Sequence, residues 1–194
     1  MSLFPPAVLS IAEIHEAIAA TRPDEECLIF REKRFTWNDI TLRTRQLANY
    51  LASQGLGCTT ERDSLLNWDS GQDHLAIYLY NGNEYLEAML GSWKARVAPF
   101  NVNYRYVAEE LEYLLKDSNA SACIVHSRFA PLLQEVRPKL SNLRVVIQVP
   151  DSSGNPLLDG AVWYEDALAQ SPSTKPAAGY HGDDLYILYT GGTT

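Results

Sequence analysis

The last five residues of the chain have the composition of a phosphate-binding loop. Thr190, Gly191, Gly192, Thr193 and Thr194 combine two glycines with three hydroxyl side chains, directly after an apolar run. Glycines allow consecutive backbone N–H groups to converge on one anion, and the hydroxyl groups add further donors. No Gly-Lys-Ser or Gly-Lys-Thr is present, so the loop is not of the Walker type. Taken alone, the pattern also fits a glycine-rich turn that leaves a core strand.

The four histidines do not form a recognisable site. His15, His74, His126 and His181 lie far apart, and none stands at metal-ligand spacing from another histidine or a carboxylate. We therefore expect each histidine on the surface or at the end of a strand. No Gly-x-Ser-x-Gly segment is present to anchor a Ser-His-Asp triad. The sequence accordingly indicates no catalytic residue and no metal ligand.

Adjacent carboxylates and paired aromatic residues have simpler interpretations than catalysis. Neighbouring residues on a helix do not face each other, so we interpret three acidic pairs as solvated: Glu25-Glu26, Glu109-Glu110 and Asp183-Asp184. Tyr85 and Trp93 could line an apolar tunnel for an acyl chain. Packing against a sheet is the better interpretation of both aromatic residues.

Composition and charge narrow the class of protein. The 194 residues are 46% hydrophobic and 21% charged, which is typical of one globular domain. Sixteen basic and 24 acidic residues give a net charge of -8, which disfavours nucleic acid as a partner. The three cysteines, at positions 27, 58 and 123, are widely spaced and favour reduced thiols. Without a signal peptide or an apolar run approaching about 20 residues, we expect a cytoplasmic protein with no integral membrane segment.

Four apolar runs predict the strands of a sheet, at residues 75–80, 122–125, 145–149 and 185–189. Most of these runs are apolar at successive positions, as in strands buried on both faces of a parallel sheet. Another strand is predicted at residues 97–102, where Pro99 favours a sheet edge or a strand end. Because amphipathic segments separate the runs, the predicted fold is α/β, with a mainly parallel sheet flanked by helices.

Helical periodicity and capping residues predict two helices before the sheet. The first begins after Ser10, ends before Pro23 and has an apolar face formed by Ile11, Ile14 and Ile18. The second opens at Thr36 or Asn38 and ends near two glycines; its apolar residues are Ile40, Leu47, Ala48 and Leu51. A hairpin is predicted between these helices, at residues 27–36.

Two further apolar stripes predict helices that pack on the sheet. One stripe consists of Leu86, Met89, Leu90 and Trp93, and the other of Val107, Leu111, Leu114 and Leu115. Residues 58–73 are polar and lack a sustained period, so we expect a loop or an irregular excursion. Residues 151–156 predict a turn, and residues 171–179 a linker with two prolines.

The string from Asp183 to Thr194 resembles the opening of the phosphate loop in the acyl-adenylating superfamily. This superfamily includes acyl-CoA synthetases, luciferases and the adenylation domains of peptide synthetases. Gly191 stands where many members carry serine, which removes one hydroxyl contact to phosphate. Residues 76–80, the helix from Asn83 and residues 94–105 are also similar to the family. The motif Asn-Val-Asn-Tyr-Arg at residues 101–105 most resembles the corresponding motif of synthetases that act on fatty or other lipid-like acids.

The resemblance implies a fold and a reaction. Residues 1–194 would be the first subdomain of a large, truncated N-terminal AMP-binding domain that ends inside its phosphate loop. The parent enzyme would be an acyl-CoA ligase that uses ATP and Mg²⁺ to form acyl-AMP from a carboxylic acid and then transfers the acyl group to CoA. Thr190, Gly191, Gly192, Thr193 and Thr194 would contact ATP.

Activity is expected of the parent enzyme and not of the isolated chain. By family resemblance, the rest of the phosphate loop, later nucleotide-binding residues and a C-terminal lysine lie beyond Thr194. Two alternatives stay open: an aryl- or amino-acid adenylating enzyme, and a non-catalytic binding module that retains half of the fold. Apolar surface left by a missing half would favour self-association into a homo-oligomer.

Overall fold

The computed structural model describes residues 9–190. Within these residues the helices and strands follow in this order: α1 (Ile11–Thr21), β1 (Glu26–Phe30), β2 (Lys33–Thr36), α2 (Trp37–Ser53), β3 (His74–Tyr78), α3 (Asn83–Lys94), β4 (Ala98–Asn101), α4 (Ala108–Asp117), β5 (Ala120–His126), α5 (Ala130–Val136), β6 (Val145–Val149), β7 (Val162–Trp163) and α6 (Tyr164–Ala169).

The main sheet has five parallel strands in the order β4-β3-β5-β6-β7. The predicted α/β fold with a parallel sheet is therefore confirmed. Pro99 lies in the edge strand β4, as its missing N–H group predicts. β1 and β2 form the predicted antiparallel hairpin.

Helices cover both faces of the sheet. On the first face, α2, α3 and α6 pack against alternate residues of the central strands, including Leu75, Ile77 and Ile124. On the second face, α4 and α5 pack against the intervening residues, including Tyr78 and Cys123. α1 packs on α2 and α3, so it forms an additional layer over the first face.

Capping side chains fix where the first two helices begin. The Ser10 hydroxyl accepts a hydrogen bond from Glu13 N, and the Glu13 carboxylate accepts one from Ser10 N, each at 3.0 Å. Thr36 and Asp39 form the same reciprocal arrangement at the start of α2. These capping boxes confirm both predicted starts. Gly55, with φ of +74°, follows α2 in the left-handed conformation that glycine favours after a helix.

The predicted apolar face of α1 is wrong. Ile11 and Ile14 are 53% and 44% exposed, whereas Ala12, His15 and Ala19 are buried. Small residues allow α1 to approach two other helices closely, which a row of isoleucines would prevent. The prediction that His15 lies on the surface or at a strand end is also wrong, because its ring packs 5.5 Å from the Trp37 ring.

α3 also turns a different side inward from the one predicted. Of the predicted stripe only Trp93 is buried, and Leu86 is 44% exposed. The buried side carries Glu87, Gly91 and Lys94 instead. A Cβ atom on Gly91 would lie 2.7 Å from a Leu47 methyl carbon, so glycine permits the close contact between α2 and α3.

The predicted stripe of α4 is largely confirmed. Leu111, Leu114 and Leu115 are buried in the core of the second face. Val107 departs from the prediction, because it precedes the helix and is exposed.

The predicted strand at residues 185–189 forms only an isolated parallel bridge, between Ile187 and Phe100. Leu188 is 65% exposed, so this run is not buried on both faces as the prediction required. In the part of the chain that the structure describes, only β4 pairs with this run. The run is therefore held by one neighbouring strand and by side-chain contacts, and not by a complete ladder of backbone hydrogen bonds.

Short elements were not predicted. β7 has two residues, α6 has six and α5 has seven, which is too little chain for a periodic pattern. Residues 58–73 form the predicted irregular excursion, which contains only a 3₁₀ turn at Arg62–Ser64 and closes through a Cys58–Gln72 bridge. The predicted turn at residues 151–156 is confirmed by a hydrogen bond from Ser153 N to Asp151 Oδ1 of 2.8 Å.

Candidate functional site

The segment at residues 183–190 runs along one edge of the sheet and ends at Thr190, the first residue of the predicted phosphate loop. Ile187 N donates a hydrogen bond of 3.1 Å to Pro99 O, and the segment runs parallel to β4. Thr190 therefore leaves this edge at the carboxyl end of the strands, where open α/β sheets bind ligands. Its side chain is exposed.

Of the five predicted phosphate contacts, Thr190 alone is described. Gly191, Gly192, Thr193 and Thr194 lie outside the described residues. Thr190 borders a cleft of about 490 Å³ between the segment and α4, and Glu109 and Glu110 line the same cleft. These carboxylates are solvated, as predicted, and they would repel phosphate. A phosphate ligand would have to be held by the loop and not by the wall of this cleft.

A polar cluster in which Arg96 and Asp184 are mostly buried holds the start of the segment. Arg96 Nε lies 3.0 Å from Asp184 Oδ1, and both terminal nitrogens of Arg96 contact the Glu61 carboxylate at 2.7 and 2.9 Å. Gln72 accepts a hydrogen bond from Leu185 N at 2.8 Å. The Asp184 side chain is only 4% exposed, so the prediction that it is solvated is wrong. Burial raises the pKa of Asp184 despite the Arg96 guanidinium.

Three further side-chain hydrogen bonds hold the segment between Leu185 and Thr190. Trp93 Nε1 donates to Leu185 O at 3.0 Å, and Asn101 Nδ2 donates to the Tyr186 hydroxyl at 2.6 Å. The Tyr189 hydroxyl donates to Asp117 Oδ2 at 2.7 Å. Burial and the neighbouring carboxylate raise the pKa of Tyr189, so its hydroxyl keeps its proton. The segment is thus positioned by residues of α3, β4 and α4.

Trp93 and Tyr85 both pack as predicted rather than lining a tunnel. Trp93 is buried and holds the segment through its indole N–H. Tyr85 is half-buried and packs against the core of the first face. Neither position indicates contact with an acyl chain.

A second cleft, of about 580 Å³, opens at the carboxyl ends of β3, β5 and β6. His126, the last residue of β5, accepts a hydrogen bond from Tyr80 N at 3.0 Å through its Nδ1 atom. Burial lowers the pKa of His126, which favours the neutral ring that accepts this bond. The strand-end position predicted for His126 is confirmed; His74 begins β3, and His181 is exposed. Sequence reasoning missed this cleft, although polar residues following successive strands could have indicated it.

Two charged clusters are buried between helices of the first face, away from the clefts. Lys94 donates to the Thr44 hydroxyl at 2.9 Å and pairs with Glu16, which also pairs with Arg45. Burial lowers the pKa of Lys94 to about 8. Although burial opposes ionisation of Glu16, hydrogen bonds from Arg45 and Lys94 lower its pKa to about 2. Burial lowers the pKa of His15, beside this cluster, to about 4.

The second charged cluster surrounds Glu87. Arg43 binds both carboxylate oxygens of Glu87 at 2.9 and 3.0 Å, and Arg43 also pairs with Glu165 of α6. Asn83 Nδ2 and the Tyr164 hydroxyl donate to Glu87 at 2.9 and 2.8 Å. Every group is paired and Glu87 is fully buried, so we interpret this cluster as structural.

The described residues contain neither a metal-binding cluster nor a membrane-spanning helix. No group of three or more His, Cys, Asp or Glu side chains there is arranged to hold a metal ion. No helix among residues 9–190 is long and apolar enough to span a membrane.

Comparison with known proteins links the chain to one group of enzymes. The family model for the AMP-binding enzyme matches residues 15–194. The medium-chain acyl-CoA ligase Mig of Mycobacterium avium is 54% identical over 185 residues, covering 95% of this chain and 34% of the relative. The 3-oxocholest-4-en-26-oate–CoA ligase of Rhodococcus rhodochrous is 34% identical over 187 residues, covering 96% of this chain and 31% of the relative. The chain spans about a third of the length of the curated relatives it matches.

A solved structure shares the fold. The anthranilate CoA ligase AuaEII, crystallised with anthranoyl-AMP, superposes with a TM-score of 0.82 at 22% sequence identity. The match covers 98% of this chain and 34% of that ligase.

Proposed function

Because the chain belongs to the AMP-binding enzyme family, we propose that it forms the N-terminal part of an ATP-dependent acyl-CoA ligase for a fatty or other lipid-like acid. The observation that carries the proposal is the position of Thr190, exposed at the carboxyl edge of a parallel sheet at the start of the predicted phosphate loop. The 54% identity to a medium-chain acyl-CoA ligase supports the substrate class.

The proposed reaction has two displacement steps. The carboxylate of the acid attacks the α-phosphorus of ATP, which forms acyl-AMP and releases pyrophosphate. The CoA thiolate then attacks the acyl carbonyl carbon and releases AMP. Thr190, and by family resemblance Gly191, Gly192, Thr193 and Thr194, would hold the phosphates in line with the carboxylate through backbone N–H and hydroxyl donors. Mg²⁺ would neutralise phosphate charge, and we propose it from the reaction class.

The activity belongs to the longer protein. The matched ligases are about three times as long as this chain, so the described residues supply a minority of such a site. We therefore propose that residues 1–194, a partial AMP-binding domain, do not form acyl-AMP alone. Three free cysteines support a cytoplasmic location, and exposed apolar residues such as Tyr113 and Leu188 support self-association of the isolated chain.

A chimeric enzyme tests the proposal directly. This chain would replace the matching 185 residues of the Mycobacterium avium ligase, and acyl-CoA formation would be measured with ATP, CoA and medium-chain fatty acids. We expect an active chimera. In the isolated chain, acid-dependent exchange of labelled pyrophosphate into ATP should stay at background.

One control variant and three contradicting outcomes make the result decisive. The chimera with Thr190→Val removes one hydroxyl while keeping a similar volume, and we expect its KM for ATP to rise. A folded chimera that forms no acyl-CoA would contradict the ligase assignment. If an aryl acid or amino acid were activated in preference to fatty acids, the substrate class would be wrong. Pyrophosphate exchange by the isolated chain would refute its proposed inactivity.

A further inference from the structure

Arg96 has an unusual backbone conformation beside the segment that leads to Thr190. Its φ is 57°, in the left-handed region that non-glycine residues seldom adopt. Such conformations cost free energy and persist only where surrounding contacts enforce them. The Arg96 side chain is mostly buried and is held by Asp184 on one side and Glu61 on the other.

Gln72 completes the link between the excursion at residues 58–73 and the segment. Its Nε2 atom donates to Arg96 O at 2.8 Å and to Asp184 Oδ1 at 3.2 Å. Its Oε1 atom accepts the 2.8 Å hydrogen bond from Leu185 N. One side chain thus contacts the backbone of both Arg96 and Leu185.

The end of the excursion is itself held rigidly. Thr59 N donates to Gly71 O at 2.7 Å, next to the bridge between Cys58 and Gln72. A Cβ atom on Gly71 would lie 1.9 Å from Thr60 O, so only glycine fits there. Gln72 therefore projects from a fixed turn.

We propose that Arg96 and Gln72 are positioning residues for the phosphate loop, acting through Asp184 and Leu185; this inference rests on the proposed ligase function. Among the described residues, the segment has one backbone hydrogen bond to the sheet, from Ile187 N to Pro99 O. Side-chain contacts must therefore set its register along β4. A displacement of about 1 Å at a reacting group can cost a hundredfold in rate, so the register matters for ATP binding.

Hydrogen exchange on the 194-residue chain tests the structural half of the proposal. Arg96→Gly removes the side chain and relieves the left-handed strain, so the fold should be retained. In Arg96→Gly and in Gln72→Ala, we expect the amides of Leu185 and Ile187 to exchange at least about tenfold faster, while β5 is unchanged. Arg34→Ala, which removes an exposed ion pair with Glu26, is the matched control and should leave all these rates unchanged.

Kinetics of the complete ligase test the functional half. We expect the KM for ATP in pyrophosphate exchange to rise about tenfold or more in Arg96→Gly, with the KM for the acid unchanged. Arg96→Lys, which can retain the ion pair with Asp184, should recover part of the loss.

The outcomes separate the two proposals. Unchanged exchange at Leu185 and Ile187 would overturn the positioning role. Faster exchange with an unchanged KM for ATP, or an equal rise in the KM for the acid, would also overturn it while leaving the ligase assignment intact. No acyl-AMP formation by the unmodified complete ligase would overturn the proposed function, whatever the exchange rates show.

Discussion

The two faces of the sheet are covered in different ways. On the second face, α4 and α5 bury only apolar side chains. On the first face, α3 buries Glu87 and Lys94, and both charges lie between helices. A helix with solvent on its far side can keep its charges in water, whereas α3 is covered by α1 and α2 as well as by the sheet. Charged pairs therefore become part of the interior where helices pack on helices.

The largest expected difference between the faces concerns Glu87 of α3. Its side chain is fully buried, and Arg43, Asn83 and Tyr164 all donate to it. Glu87→Ala would leave these donors without their acceptor. We expect a loss of about 3–5 kcal/mol in the free energy of unfolding, measured by urea denaturation of the chain.

Glu112 on α4 provides the matched control. It pairs with Lys116 and Lys139 at 2.6 Å; its own side chain is 19% exposed, and those of the two lysines are 50% and 60% exposed. Glu112→Ala should leave the urea midpoint close to that of the unmodified chain, because exposed ion pairs contribute little. Equal losses in the two variants would show that the faces do not differ as described.

The contrast also explains how much of the fold the sequence could predict. Periodicity located the buried leucines of α4, because that helix has one covered side. It failed for α1 and α3, where small and charged residues are buried between helices and Ile14 and Leu86 are left at the surface. The apolar run ending at Tyr189 has the composition of a buried strand. Pairing only with β4 keeps it at the surface.

The candidate site was predictable only in part. The loop composition and family resemblance pointed to Thr190, since those signals are local in sequence. Gln72, Arg96 and Asp117 could not be identified, because they come from separate elements that the fold brings to the same segment. Asp184 was misinterpreted for the same reason: its partner Arg96 lies 88 positions earlier.

A second prediction concerns the pH dependence of the first face. Burial lowers the pKa of His15 from 6.5 to about 4, so the folded chain keeps it neutral where the unfolded chain binds a proton. The free energy of unfolding should therefore fall as the pH falls from 6.5 to 4, with His15 contributing about 3 kcal/mol. Neither ring nitrogen has a hydrogen-bond partner. His15→Leu should remove this contribution at little cost to the fold.

Urea denaturation between pH 7 and pH 4 checks the prediction. Near pH 7 the stability curves of the unmodified chain and of His15→Leu should run parallel. As the pH falls below 6.5, the unmodified chain should lose stability relative to the variant. Below pH 4.5 both proteins should lose the contribution of Glu16, whose pKa is lowered to about 2. Parallel curves from pH 7 to pH 4 would show that His15 is not held neutral.

Apart from the Glu112 control, the smallest expected effect is at Leu86, next to Glu87, where the largest effect is expected. Leu86 precedes Glu87 on α3 and is 44% exposed, whereas Glu87 is buried. The apolar character of leucine predicts the opposite, with Leu86 buried and Glu87 exposed. Leu86→Gln keeps a good helix former and removes only partly buried apolar surface, so we expect a loss of about 1 kcal/mol or less in urea denaturation. A loss of about 3 kcal/mol would mean that Leu86 is a core residue. The description of α3 as a helix that buries Glu87 and leaves Leu86 at the surface would then be wrong.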